Sequence, residues 1–516
     1  MVIIDSRLLE VIYMEVKILD FDTTAEIVFI NPKIEDPRDS LSNLAQIKIG
    51  PKKQIVQVIR SELVKENEIG LPTSLAHTMK AEHGDNITIN PRRRTNVLNT
   101  IMKKYDRQKW SSDDLRSIID EMYTGNVTDL EMAAFTLAMQ YEDLSTDETE
   151  HLTRSFTLHS EQIDFGEPVY DKHSIGGIPG NKVSLLIVPI IAAAGLLIPK
   201  TSSRAITSPS GTADTMEVLC NVGFNAEEIM EIAPKTRGML VWGGQLNLAP
   251  VDSQIIKRVE RPLSLDPKSV IIASILSKKL STGVDHMVLD MPTGAETKME
   301  SRAEAKELSH LFVEIGRRVG IKIDCALTYA DQPVGHAIGP ALEAREALLT
   351  LDGKGPRSVL EKSNELAGIL LEMAGVASRG KGAHVAEEYV KSGKALEKFY
   401  EIIEAQGGSR ILPKDIPVGQ YTSTITAKED GYISHISNKQ IKNIAATLGC
   451  PSDKSAGLYI HRKKGEFVKK GDVILELYST REGALDDAMN IAKLKSPFLQ
   501  EGMVLERISS SPIQLD

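Results

Sequence analysis

Two stretches of the chain concentrate glycine, hydroxyl side chains and a few cations: Lys172-His173-Ser174-Ile175-Gly176-Gly177-Ile178-Pro179-Gly180-Asn181-Lys182 and Thr201-Ser202-Ser203-Arg204-Ala205-Ile206-Thr207-Ser208-Pro209-Ser210-Gly211-Thr212-Ala213-Asp214. These residue types hold oxyanions. Glycine lets main-chain N–H groups approach an anion with no Cβ in the way, hydroxyls donate to its oxygens, and Lys172 or Arg204 supplies charge. Neither the P-loop spacing nor the dinucleotide Gly-x-Gly-x-x-Gly pattern is present, so the pair reads as an anion site of another kind.

The elements that must position these loops follow from hydrophobic periodicity. Strand-like runs Gly238–Trp242, His286–Met291 and Ile321–Thr328 alternate with helical segments such as Arg302–Val319 and Leu342–Leu351, which predicts an α/β core whose ligands sit on loops after strands. The apolar run Val183–Ile198 falls short of a membrane span and contains Ser184 and Pro189, so a helix buried on all sides is expected. Between residues 97 and 160 an all-helical unit is expected. Thr128 with Glu131 and Ser145 with Glu148 form capping boxes there, and an Ala and Met stripe reads as core or dimer interface.

From Met14 to about Asn90 the runs Val16–Asp20, Ala25–Ile30, Ile47–Gly50, Ile55–Ile59 and Asn86–Asn90 alternate with period two, predicting a β-rich domain over 14–90. Residues 1–13 read as an extension. Near the C-terminus Gly431–Ile433, Gly457–His461 and Asp472–Leu477 read as short strands. The expected class is therefore multidomain α/β: the β-rich domain, a small all-α domain (96–162 plus 252–283), a large α/β domain (163–251 plus 284–410) and a C-terminal α+β domain (411–505).

With 516 residues, 26% charged and 41% hydrophobic, and a formal net charge of −10, the chain lacks the basic balance of a nucleic-acid binder; Pro91-Arg92-Arg93-Arg94 is a local exception of the solvated kind. Cys220, Cys325 and Cys450 are widely spaced, which argues against disulfides and zinc knuckles and suits the cytoplasm. No signal peptide is read at the N-terminus, and no membrane partner is expected.

Lys172-His173-Ser174-x-Gly176-Gly177, Ser202-x-Arg204 and Gly211-Thr212-x-Asp214, followed by Leu248-Ala249-Pro250-x-Asp252 and Ala273–Lys279, resemble the thymidine/pyrimidine nucleoside phosphorylase family over about residues 96 to 505. The stretch Gly465–Asp472 is similar to the turn of a lipoyl or biotinyl hammerhead module but lacks the carrier Met-Lys-Met, and reads as scaffold. Three departures from the nucleoside-cleaving members point to an archaeal branch acting on nucleoside 5′-monophosphates. These are Ser208-Pro209-Ser210-Gly211-Thr212 in place of His-Thr-Gly-Gly-Thr, Ile178-Pro179-Gly180-Asn181 in the first loop, and the added N-terminal domain.

The resemblance implies phosphorolysis of AMP, with CMP and UMP as further substrates, to free base and ribose 1,5-bisphosphate in a route feeding a RuBisCO-type carboxylase. It places Lys172, Ser174, Ser184, Ser202 and Thr212 on the attacking phosphate. The nucleotide falls to Gly177, Ser203, Arg204, Ala205, Ile206, Thr207, Ser208, Thr212, Ser274 and Lys298, and the proton donor to the departing base is Asp266. No cofactor and no metal are expected. A homodimer or larger homo-oligomer is expected through the α domain and the N-terminal domain.

Each assignment has a plainer reading beside it. Asp266-Pro267 before a helix is a good cap with proline at the first helical position, which favours an ionised carboxylate where an acid is wanted. Arg204 and Lys298 could be ordinary ion-pair partners. His173 could contact the base edge or be structural. Lys278, which the pyrimidine enzymes use for the base, lies one turn beyond Ser274. Three other functions stay open at this point: a pyrimidine nucleoside phosphorylase, a non-catalytic nucleotide-binding regulator, and a phosphoribosyltransferase, the last weakened by the lack of an acidic metal site.

Overall fold

The computed structural model describes residues 12–23, 25–34, 44–91, 96–205, 208–506 and 508. Residues 1–11 of the expected extension, Arg92-Arg93-Arg94, and the nucleotide-binding candidates Ile206 and Thr207 lie outside the described residues. Two compact units are present, Met1–Ser160 with Ala249–Lys278, and Glu161–Leu248 with Lys279–Asp516.

The first unit begins with strands β1 (Ile12–Leu19), β2 (Ile27–Ile30), β3 (Leu44–Ile49), β4 (Lys52–Arg60), β5 (Glu68–Pro72) and β6 (Asn86–Pro91), closed into a barrel in the order β1-β5-β2-β4-β3-β6. Every strand contributes residues two apart to its interior: Met14 and Val16, Val28 and Ile30, Ala45 and Ile47, Val56 and Val58, Ile69 and Leu71, Ile87 and Ile89. Period-two alternation is what a closed sheet with one buried face requires. Ile12 and Tyr13 belong to β1, so the strand starts inside the stretch expected as an extension. Strand β5 and the helix α1 (Thr73–Met79) were not expected. Gly70 hides β5 from a propensity reading, and packing demands it, since a Cβ there would lie 2.8 Å from Leu19 Cδ1.

The rest of this unit is helical: α2 (Val97–Tyr105), α3 (Ser112–Tyr123), α4 (Asp129–Tyr141), α5 (Thr146–Thr157), α9 (Pro250–Ile255), α10 (Arg261–Leu263) and most of α11 (Lys268–Ser281). Thr128 and Glu131 exchange both capping hydrogen bonds at the start of α4, and Ser145 and Glu148 do so at α5. A third box, Ser111 with Asp114, starts α3. Trp110 stacks on Phe135 at 5.1 Å in a core with Ile118, Ile119 and Phe156. Glu148 also accepts from Lys104 at 2.9 Å, so one carboxylate caps a helix and neutralises a buried ammonium.

In the second unit β7 (Tyr170–Ser174), β10 (His286–Thr293) and β11 (Lys322–Tyr329) form a parallel sheet in the order β11-β10-β7. Strands β8 (Ile198–Ser202) and β9 (Gly238–Trp242) pair in parallel, and a parallel bridge between Val169 and Leu197 joins β8 to the β7 side. The connections include α6 (Ser184–Ala193), α7 (Thr212–Met216), α8 (Ala226–Thr236) and α12 (Arg302–Val319). The apolar run holds two elements: α6, buried from Ser184 to Ala192, and after a turn at Gly195 the start of β8. Among the described residues no helix is long and apolar enough to cross a membrane.

Further along come β12 (Ala337–Ile338), α13 (Pro340–Leu351), α14 (Arg357–Met373), α15 (Gly382–Lys391) and α16 (Lys394–Ala405), whose apolar faces complete the core around α6. The C-terminal part contains β13 (Tyr421–Thr426), β14 (Gly431–Ile436), α17 (Asn438–Leu448), β15 (Gly457–Ile460), β16 (Phe467–Val468), β17 (Val473–Ser479), α18 (Glu482–Leu494) and β18 (Phe498–Glu501). Its sheets run β12-β15-β17-β13 and β16-β14-β18.

Candidate active site

In a parallel sheet the loops that follow the strands gather at one edge, where ligands bind. Both glycine-rich stretches are such loops: the first leaves β7 and leads to α6, the second leaves β8 and leads to α7. Register then decides which side chains meet. Ser174 pairs with Asp290 and Lys172 with Val288 across β7 and β10, while Thr328 of β11 pairs with Pro292. Positions two apart share a face, so Lys172, Ser174, Asp290 and Thr328 stand on the same side of the sheet.

The other three converge on the carboxylate of Asp290, which is fully buried. Ser174 donates its hydroxyl to Asp290 Oδ2 at 2.6 Å, and Thr328 donates to Oδ1 at 2.6 Å. Asn181, from the far end of the first loop, donates to Ser174 Oγ at 3.2 Å. The Lys172 ammonium donates to the same hydroxyl and lies 4.0 Å from Asp290 Oδ2. Lys362 of α14 comes closer, at 3.1 Å. Burial alone would raise the Asp290 pKa, but Lys362 and Lys172, with the two hydroxyl donors, outweigh it and hold the carboxyl below its ordinary range. Burial pulls Lys172 down to about 8, against the attraction of Asp290, and the neighbouring Lys362 and Lys279 add to the depression.

The adjacent residue on β7, Asp171, serves a second set. It lies 2.5 Å from Lys279 and 3.5 Å from Lys200, all three buried. Lys200 is drawn down to about 7, first by burial and then by Lys279 and Lys172, with Asp171 opposing. Two buried carboxylates thus face four buried or nearly buried lysines. A cation surplus next to hydroxyl-rich loops is electrostatically matched to a dianion.

Ser202 ends β8 and donates to Val241 O at 3.2 Å, and Ser184 and Thr212 are the first residues of α6 and α7. The second loop is pinned at both ends by Asp214, which is buried and accepts from Ala205 N at 2.6 Å and Gly211 N at 3.0 Å. Gly211 admits no side chain, since a Cβ would lie 2.6 Å from Ala205 N. Ser208 donates to Ser210 O at 3.0 Å, and Ser203 is exposed. Arg204 grips Glu217 with both nitrogens, at 2.5 and 2.6 Å, and lies over the Trp242 ring at 4.7 Å. Lys454 joins them, 2.8 Å from Asp214 and 2.9 Å from Glu217. Arg204 and Lys454 hold the Glu217 carboxyl at about 2. Gly177 has φ +62°, a conformation that favours glycine, and Lys298 is exposed in the loop after β10.

Lys182, the last cation of the first stretch, is tied up in the core. It is fully buried and donates to Glu346, to Ala337 O at 2.9 Å and to Val334 O at 3.3 Å.

In the first unit, Ser274 and Lys278 of α11 both reach the fully buried Asp252 of α9, at 2.8 and 2.6 Å, and Lys278 donates to Ser274 Oγ at 3.0 Å. Asp266 is exposed, two residues before α11. Asp290, Lys362, Lys200 and Lys454 were not found from the sequence. Asp290 lies in a run that reads only as an apolar strand, and the other three lie outside any motif.

Three family models match in chain order: the glycosyl transferase family helical bundle domain over 98–159, the glycosyl transferase family a/b domain over 166–396, and the pyrimidine nucleoside phosphorylase C-terminal domain over 432–497. A chain assembled from these parts is a glycosyl-transferring enzyme of the phosphorylase class. Proteins named AMP phosphorylase match most of its length: that of Methanocella arvoryzae is 46% identical over 90% of this chain and 93% of its own, and that of Methanocaldococcus jannaschii 43% over 96% and 99%. The chain belongs to the AMP phosphorylase family. The anthranilate phosphoribosyltransferase of Thermus thermophilus shares the fold of part of it, with a TM-score of 0.52 and 17% identity over 60% of this chain and 99% of its own.

Proposed function

We propose that this chain catalyses the phosphorolysis of AMP, and also of CMP and UMP, in the cytoplasm. Inorganic phosphate forms a bond to C1′ as the bond from C1′ to the base breaks, giving free base and ribose 1,5-bisphosphate. The observation that carries this is the 46% identity, across 90% of the chain, to a protein named AMP phosphorylase. The surplus of Lys172, Lys200, Lys279 and Lys362 supports it, because a phosphate dianion supplies the charge that Asp171 and Asp290 leave unmatched.

In this reading Lys172, Ser174, Ser184, Ser202 and Thr212 hold the nucleophile, and holding it replaces a bimolecular encounter by a positioned one. Ser174 has one hydroxyl hydrogen, now given to Asp290, so it serves phosphate by turning that hydrogen or by accepting from a protonated phosphate oxygen. Gly177, Ser203–Ser208, Thr212, Ser274 and Lys298 bind the nucleotide, and Asp266 delivers the proton that leaves with the base. For Arg204 to meet the 5′-phosphate it must exchange Glu217 for it, a swap of one anion for another with the same fork geometry. The test is phosphate-dependent release of adenine from AMP compared with adenosine, and of uracil from UMP compared with uridine. Release from the nucleosides alone would make the chain a nucleoside phosphorylase, and binding of AMP with no turnover would make it a regulator.

A homodimer through the α domain is part of the proposal. Helix α4 buries Met132, Phe135 and Met139 on one side and leaves Leu130 81% and Tyr141 77% exposed on the other, beside Leu98, Met102 and Tyr105 of the neighbouring α2. A helix apolar on all sides calls for a second covering surface. Leu130→Glu with Tyr141→Glu should yield monomers in light scattering, and a particle of unchanged mass would reject the dimer face. The barrel is proposed to join dimers into larger assemblies.

A further inference from the structure

Asp290 is an awkward group to find in an anion site. Its carboxylate is fully buried, accepts from Ser174 and Asn181, and stands 4.0 Å from Lys172, so a phosphate drawn to Lys172 and Ser174 arrives beside a fixed negative charge. Left to itself that charge would claim the Lys172 ammonium. Lys362 changes the balance. It reaches in from α14, its side chain 10% exposed, and its ammonium sits 3.1 Å from the same oxygen. Its nitrogen is buried and makes no hydrogen bond among the described residues, so it acts there as a point charge.

We propose that Lys362 is a positioning residue for the phosphate nucleophile: it neutralises Asp290, and so leaves the charge of Lys172 available to phosphate. The inference rests on the phosphorolysis reading above. Asp290 then works as a bracket, holding Ser174 and Thr328 in place without competing for the cation. The two distances give the division of labour, the nearer ammonium paired with the carboxylate and the farther one bonded to the Ser174 hydroxyl at the loop. The depressed pKa of Lys172 agrees, since Lys362 is among the groups that disfavour its charge until an anion arrives.

The test measures KM for phosphate and for AMP separately, together with the Tm shift produced by inorganic phosphate alone. In Lys362→Met, KM for phosphate should rise tenfold or more and the phosphate-induced Tm shift should shrink, while KM for AMP stays within threefold. Lys362→Arg should restore most of the phosphate affinity. If Lys362→Met does not fold, the pair Lys362→Met with Asp290→Asn, which leaves the net charge of the site unchanged, is compared with Asp290→Asn alone. Lys362 acts through Asp290, so a phosphate KM in the pair within threefold of that of Asp290→Asn supports the proposal, and a further tenfold loss overturns it. A single Lys362→Met variant with wild-type phosphate KM and Tm shift also overturns it, however much its baseline Tm falls. A wild-type protein that neither consumes phosphate with AMP nor is stabilised by phosphate refutes the function itself, a result distinct from any of these.

Discussion

Asp214 offers a direct test of how the second loop is held. Four donors reach its carboxylate: Ala205 N at 2.6 Å, Gly211 N at 3.0 Å, Lys454 at 2.8 Å and Arg204 at 3.5 Å. Asp214→Asn keeps the shape but offers one acceptor oxygen and no charge, and turns an NH2 group toward donors. Hydrogen bonds to charged groups contribute about 1.5–3 kcal/mol each, and a buried donor left unmet costs a similar amount. Assigning a net loss of about 2 kcal/mol to loop order corresponds to roughly a 30-fold weaker nucleotide affinity. The assay is adenine release against AMP concentration, with amide hydrogen exchange at Ala205 and Gly211. KM for AMP should rise by that order and both amides should exchange faster. A KM within threefold of wild type with unchanged exchange at the two amides would show that Asp214 does not hold the loop.

The buried pair of Lys182 with Glu346 is structural, so Lys182→Met should destabilise the chain by about 3–5 kcal/mol in denaturant unfolding, and adding Glu346→Gln should recover much of it, because the single change strands a charge and the double does not. Lys172 gives a pH signature of definite sign. Its pKa falls from 10.5 unfolded to about 8 folded, so between those values the unfolded chain binds the extra proton and this group's contribution to stability improves as pH rises. Phosphate binding needs the ammonium and runs the other way: KM counted on the phosphate dianion should be level below about pH 8 and climb toward roughly tenfold per unit above it. A level profile to pH 9.5 would count against Lys172 as a phosphate ligand.

Local signals in the sequence proved readable where the physics is local. A capping box is a contact between residues three apart, and both that were named, at Thr128 and Ser145, close as expected. Strand β10 and helix α12 follow from periodicity, as do the barrel strands other than β5. The site is different in kind. Asp290 is separated from Lys172 by more than a hundred positions and from Lys362 by two helices and two strands, and only strand register puts it under the first loop. Lys362 and Lys454 sit on segments with no motif of their own, so nothing near them marks a charge-balancing role. From the sequence, Arg204 reads both as a phosphate ligand and as an ion-pair partner. The structure displays its grip on Glu217, a residue three positions beyond the end of the second loop.

The neighbours Asp171 and Lys172 point to opposite sides of β7, the acid toward Lys200 and Lys279, the base toward Asp290. That arrangement makes the strand intolerant of sliding. Moved along by one position, β7 would thrust its lysine among two others with no carboxylate between them, and the misregistered fold would be penalised in both layers at once. The same charges that give this sheet its lysine surplus therefore also fix the alignment of the strand that carries two of them.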